Sequence, residues 1–250
     1  MKIEGITLSS ASILNCYKKF YPKTYNTILK NRFYELQLFG IRLSTCDTSM
    51  PDDLIGGLIV NRFNLFEVVV SKGSTEPSPK NIAELYDAEA IRKGGAAFMK
   101  EGQYIYRYRG TKNGRFAPLP SFCPIVPTTV YRWMPTNEQI KSWNKGKGVP
   151  LSKHFEQAVK DGLVKISTST DTCIHKSWSK DKFYSDSAGC QILTDDKALS
   201  TLGKWADEHM RKKYGNNFTY TLFTKEQFVS ANTTNVLTNL IPSFFQINRK

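Results

Sequence analysis

The chain reads as an α+β protein dominated by strands, a sandwich- or barrel-like body with helices inserted and appended. Three observations predict this. Strand-type segments with period-two alternation or unbroken apolar runs recur from residue 33 to about 192. They are punctuated by Gly, Pro, Asn and Ser clusters of turn composition. Strands and helices do not alternate regularly, which argues against βαβ units and for long-range antiparallel pairing in one body.

The elements follow in order. Residues 9–31 mix Ser, Tyr, Lys and Asn with scattered apolar positions and suggest one or two short helices. FYELQLFGIRL, from Phe33, alternates and is rich in aromatic and β-branched residues, so it is expected as a strand. LIGGLIV and FNLFEVVV follow, separated by Asn61-Arg62-Phe63-Asn64, and together they predict a hairpin. NIAELYDAEAIRKGG predicts a helix that begins near Asn81 and ends before Gly94. Phe98–Arg109 alternates again: its Tyr104, Tyr106 and Tyr108 are expected on one strand face rather than as a base-stacking platform. Val126–Met134 is a strand with a proline-rich approach, HFEQAVKDG a short helix, and VKISTST a strand. The clearest helix is TDDKALSTLGKWADEHMRKKYG. Thr194 or Asp195 caps it, acids sit early and bases late, and Gly215 follows its end. Leu199, Leu202, Trp205 and Met210 share its apolar face, whereas His209, like His154, is expected at the solvent side. FTYTLFT reads as a further strand. The domain plan is an N-terminal extension (1–32), a β-rich body (33–195), and a C-terminal helix and extension (196–250).

Composition bounds the function. With 250 residues, 40% apolar and 23% charged, the chain is an ordered globular protein rather than a disordered one. Its net charge of +13 favours polyanionic partners. The basic residues are spread along the chain rather than gathered on one helix or tail, which disfavours nucleic acid against an anionic wall polymer. No run reaches the length of a membrane span, and the N-terminal segment lacks a continuous apolar core of the signal-peptide kind. Synthesis in the cytoplasm is expected, and action outside it would need another route, such as carriage by a virion. The five cysteines are widely spaced with no CxxC pair, so most of them are expected as small buried hydrophobes rather than a disulfide framework. Cys173, His175 and Cys190 are zinc-type ligands but lack an evident fourth, and neither a metal nor a cofactor is expected.

The stretch that carries chemistry is CIHKSWSKDKFYSDSAGCQ, Cys173 to Gln191. A thiolate is a strong nucleophile when a base favours it, and His175, fifteen positions before Cys190, supplies that base if one ends a strand and the other begins the next. Gly189, immediately before the cysteine, permits a tight bend and close approach of substrate. Ser187 is a candidate for holding the geometry of the motif. Backbone N–H groups around Gly189 and Cys190 are candidate oxyanion donors.

Ile174-His175 followed by Ser187-Ala188-Gly189-Cys190 resembles the signature of YkuD-like L,D-transpeptidases, in which a histidine precedes a Ser-x-Gly-Cys motif. Val69-Val70-Ser71-Lys72-Gly73 and Met99 to Tyr104 are similar, in the same order, to upstream blocks of that family, so the resemblance spans about residues 37–195. Phe39–Arg42, Lys100–Tyr104 and Ser187–Gln191 also resemble a divergent set of bacteriophage and bacterial proteins. The resemblance implies a catalytic set of Cys190, His175, Ser187 and Gly189, an acyl-enzyme on Cys190, and hydrolysis or transpeptidation of stem peptides in peptidoglycan. It implies peptidoglycan as partner, with other virion proteins besides. A non-catalytic virion docking protein that keeps the fold is the alternative. Two positions depart from the family: Lys176 stands where glycine is usual, and Gln191-Ile192 replace the region of a substrate-holding arginine.

Overall fold

The computed structural model describes residues 1–30, 33–43, 51–84, 92–110, 120–143, 148–177 and 189–233. Among them the chain forms seven helices, a closed eight-stranded barrel, a separate three-stranded sheet and a short two-stranded ribbon.

The ribbon is β1 (Lys2–Ile3) and β2 (Ile6–Thr7), followed by α1 (Ser10–Phe20) and α2 (Pro22–Leu29). Ser9 caps α1 in a capping box with Ser12, each side chain accepting from the other's backbone N–H. Pro22 opens α2, where its missing N–H is no loss. Next come β3 (Gln37–Arg42), β4 (Asp53–Val60) and β5 (Phe66–Ser74). The β4–β5 hairpin has the expected turn. Asn61 Oδ1 accepts the N–H groups of Phe63 and Leu65, and Asn64 takes the left-handed backbone that asparagine tolerates. β4 is buried along its whole length, which explains its unbroken apolar run.

α3 (Pro79–Glu84) precedes β6 (Ala96–Met99), β7 (Gly102–Tyr108), β8 (Phe122–Pro124) and β9 (Thr128–Trp133). The second half of the helix expected after Asn81 lies outside the described residues. α4 (Asn137–Trp143), α5 (Leu151–Lys160), β10 (Lys165–Ser169), β11 (Ile174–Lys176) and β12 (Gln191–Leu193) follow. The chain continues with α6 (Asp196–Arg211), β13 (Phe218–Thr224) and α7 (Lys225–Asn232).

The barrel order is β11-β12-β5-β4-β3-β13-β7-β8, and β8 pairs back to β11. Most pairings are antiparallel; β11–β12 and β13–β3 are parallel. Tyr106 and Tyr220 sit in the central apolar cluster with Leu38, Ile55, Phe122 and Ile174. The opposite faces of β3 and β4 bury Phe39, Ile41, Leu54 and Leu58 against Ile13, Cys16 and Tyr17 of α1 and Phe228 of α7. β10, β9 and β6 form the second sheet, against which α5 stacks Phe155 on Phe98 with ring centroids 3.7 Å apart.

Three expectations need correction. The strand Phe218–Thr224 lies past the expected limit of the β-rich body, yet it sits inside the barrel between β3 and β7. A parallel pairing with β3 needs a long crossover, and local pattern carries no trace of so distant a partner. Val126–Met134 and VKISTST do form strands, but they join the separate sheet rather than the barrel. His209 is not at the solvent side: it is buried, its Nδ1 accepts the Leu36 N–H at 3.0 Å, and its ring packs on Phe218. α6 is covered on a wider face than its apolar residues mark, because β3's lead-in crosses it.

α6 otherwise behaves as its sequence demands. Asp195 accepts from the N–H groups of Lys197 and Ala198, and Leu199, Leu202 and Ala206 join the barrel cluster with Trp205 and Met210 at its margin. Gly57 makes room for this helix, since a Cβ there would stand 2.5 Å from Leu202 Cδ2. Leu202→Ala should therefore lower stability by about 2–5 kcal/mol, the usual range for a buried leucine truncated in a core that only partly collapses. Urea unfolding followed by circular dichroism measures it, and a loss below about 1 kcal/mol would show that α6 does not share the barrel core.

Candidate functional site

β11 and β12 place the two halves of the candidate pair on adjacent strands. Ile174 registers with Gln191 and His175 with Ile192 in a parallel ladder, and the Gln191 N–H extends it by donating to Cys173 O at 2.8 Å. Parallel partners point to the same face, and side chains alternate along each strand. Ile174 belongs to the central barrel cluster, and Gln191 meets Tyr220 of that cluster. His175 and Cys190 therefore belong to the outer face, on adjacent strands and diagonal to one another. His175 lies inside one short strand, and Cys190 immediately precedes the next.

The imidazole is held by the backbone. His175 is buried, and its Nδ1 lies 2.7 Å from Lys176 O. A carbonyl only accepts, so Nδ1 carries the proton and Nε2 is the nitrogen that takes one. Lys176 itself turns to Asp196, with Nζ 3.0 Å from Oδ2, tying β11 to the first turn of α6. The Cys190 thiol donates to Asp171 O at 2.9 Å. Gly189 has φ +150° and lies against β6, where a Cβ would come within 2.8 Å of Ala97 O. Any larger residue there would push the motif off the second sheet. Ser187 lies outside the described residues.

Behind the motif is a buried polar cluster that the sequence did not announce. Arg42 donates from Nε to Thr75 Oγ1 at 3.0 Å, and from Nη2 to Thr75 O at 3.0 Å and Met99 O at 2.8 Å. Asp53 Oδ2 accepts the Thr75 N–H and hydroxyl, and its Oδ1 accepts the Leu43 N–H. Gln191 Nε2 donates to Thr75 O at 3.3 Å, and Gln191 Oε1 accepts the Tyr220 hydroxyl at 3.1 Å. Gln191 is thus a structural residue that fixes the position next to Cys190. A second brace holds the lead-in to β11: Tyr106 donates to Thr172 O at 2.6 Å, and the Thr128 hydroxyl lies 2.8 Å from that of Thr172.

Glu76 borders this cluster, 3.7 Å from Arg42 Nε, and faces a cleft shared with Glu101, Tyr131 and Glu156. Burial pushes its carboxyl up from 4.5 to about 8; Arg42 opposes the shift, and Asp53 and Glu156 add to it.

The expectation of unpaired cysteines fails at two positions. Cys123 and Cys173 form a disulfide, with Cα atoms 4.2 Å apart. The cause is topological: Ile174 pairs with Phe122, so the two cysteines stand directly opposite across β8 and β11, 50 residues apart in sequence. The pairing also removes Cys173 from any zinc site, and no group of three metal-type ligands exists among the described residues. Cys16 is fully buried, and burial pushes its thiol up to about 12.

No family model, curated protein or solved structure matches the chain.

Two outcomes follow from these environments. Near neutral pH, iodoacetamide should modify Cys190 well before Cys16, as read by mass spectrometry of labelled peptides; equal labelling would mean that the Cys190 environment confers no reactivity. For Glu76, a raised folded-state value means that the native state holds a proton that the unfolded chain has released. Stability from this group is complete below about 4.5 and is lost as pH rises towards 8. Glu76→Gln should flatten the decline in thermal stability across that window. An unchanged pH profile would show that Glu76 titrates normally.

Proposed function

We propose that this protein is a cysteine acyl-transfer enzyme of the YkuD-like L,D-transpeptidase kind, acting on peptide bonds of peptidoglycan stem peptides. The observation that carries it is the pairing of β11 with β12. It puts Cys190 and His175 on adjacent strands, and the contact of Nδ1 with a backbone carbonyl makes Nε2 the nitrogen that would accept the thiol proton. That is the arrangement a nucleophilic thiol requires: nucleophile, base, and a group that orients the base. In the reaction, Cys190 Sγ leaves Asp171 O and passes its proton to His175 Nε2. It then attacks the substrate carbonyl, and His175 returns the proton to the departing amine. The N–H groups of Gly189 and Cys190 meet the developing oxyanion, with Gln191, Thr75 and Tyr220 fixing the backbone beneath them. Water as acceptor gives hydrolysis; an amine gives transpeptidation. The net charge of +13 suits an anionic wall polymer, and the phage-like motifs suit a virion or host-envelope setting.

One observation favours the second reading, a docking protein that retains the fold. The thiol donates to Asp171 O, an acceptor that stabilises the protonated sulfur. The two readings separate in one assay. Purified peptidoglycan is incubated with wild type, Cys190→Ser and His175→Ala, and released or exchanged stem peptides are quantified by mass spectrometry. The enzyme reading expects fragments from wild type, and a fall of about 100-fold or more in both variants. Fragment levels equal in wild type and Cys190→Ser would leave only docking. Binding to the same peptidoglycan should weaken as salt rises, because exposed charges are screened. Salt-independent binding in a pull-down would remove the electrostatic part of the proposal.

A further inference from the structure

Three cysteines cross the barrel seam in one row. Ile174 of β11 pairs with Phe122 of β8, which sets Cys173 opposite Cys123, its disulfide partner. On the other side, Ile174 lies beside Gln191 of β12, so the position next to Cys173 there is Cys190. Neighbouring strands stand about 4.8 Å apart, inside the Cα separation of about 4.4–6.8 Å that a disulfide accepts. Phe122 and Ile174 lie in the barrel cluster, and Gln191 reaches Tyr220 within it, so the alternating cysteines share the outer face. All three are partly exposed. The Cys190 sulfur, 2.9 Å from Asp171 O, is also directed at the segment that leads into Cys173.

Exchange at a disulfide needs a thiolate that approaches one sulfur from the side opposite the sulfur that leaves. Cys173 is the middle of the three, with Cys190 on one side and Cys123 on the other. We propose that Cys190 and the Cys123–Cys173 disulfide form an intramolecular exchange site, in which the disulfide shifts to Cys173–Cys190. The Cys190 thiolate attacks Cys173 Sγ, the Cys190–Cys173 bond forms as the Cys173–Cys123 bond breaks, and the electron pair leaves on Cys123 Sγ. The proton lost by Cys190 goes to solvent, and Cys123 takes one up. One disulfide is present before and after, so no oxidant or reductant is consumed. The shift masks Cys190 and removes the covalent tie from β8–β11, a seam with one registered residue pair; it adds that tie to β11–β12, which has three. This inference stands apart from the acyl-transfer proposal, since exchange needs only a thiol beside a disulfide.

The test is disulfide mapping on the full chain. Oxidised wild type is held at about pH 8, where thiolates form readily, then quenched with acid and N-ethylmaleimide and digested with trypsin without reduction. Cleavage after Lys176 and Lys182 separates Cys173 from Cys190. The expected result is a Cys173–Cys190 linked peptide together with maleimide-labelled Cys123, the latter missing from Cys190→Ser. A second variant guards against misfolding. Reduced Cys123→Ser, shown folded by circular dichroism, is treated with oxidised glutathione. It should form the same linkage and slow the alkylation of Cys190 by about tenfold or more. Absence of the Cys173–Cys190 peptide from wild type, or from folded Cys123→Ser, overturns the proposal. Absence of wall-fragment release from protein whose Cys190 is still reduced would instead count against the acyl-transfer reading alone.

Discussion

The Arg42 guanidinium is the constraint on which the site depends. A buried guanidinium costs several kcal/mol unless its donors are met. Here they are met by groups from separate pieces of chain: Thr75 after β5 and Met99 at the end of β6. Asp53 at the start of β4 completes the arrangement by taking both the N–H and the hydroxyl of Thr75. One charged side chain on β3 therefore positions the end of the hairpin, the edge of the second sheet and the start of the loop that carries Glu76. Gln191 reaches the same Thr75 carbonyl. The residue next to Cys190 is thus located by the network that locates Arg42.

A second constraint is closure. A barrel removes exposed strand edges only if its last strands meet. β11 and β12 are three residues each, and β11 meets β8 through one registered pair beside the disulfide. The seam is thus thin in hydrogen bonds, and it is where the histidine, the thiol and the disulfide converge. Short strands at a closing seam leave backbone and side chains available for chemistry that a long, fully paired strand would bury. The braces from Tyr106 and Thr128 to Thr172 supply the rigidity that the ladder there lacks.

Much of the candidate site was legible without coordinates. His175, Gly189 and Cys190 stand out by residue type and spacing, and their placement at neighbouring strand ends follows from the loop they bound. What stayed hidden is instructive. Arg42 lies in a strand-like stretch where an arginine reads as an exposed charge, and nothing near it in sequence announces Thr75 or Met99. Gln191 reads as a departure from a family pattern, whereas it serves as a barrel hydrogen-bond partner. Lys176 reads likewise, yet its carbonyl orients the imidazole, a role any residue type can fill.

The sequence by itself determined the local elements: the asparagine-turned hairpin, the Asp195-capped helix and its apolar face, the alternating tyrosines of β7, and the motif with its thiol and imidazole. These rest on interactions a few residues apart, which backbone propensity and side-chain periodicity encode directly. Only the tertiary structure decided which strands share a sheet, that Phe218–Thr224 inserts between β3 and β7, that His209 is buried, and that Cys123 faces Cys173. Each of these joins residues far apart in the chain. Such pairings are selected by the summed burial and hydrogen bonding of the whole body, and no local pattern records which partner wins.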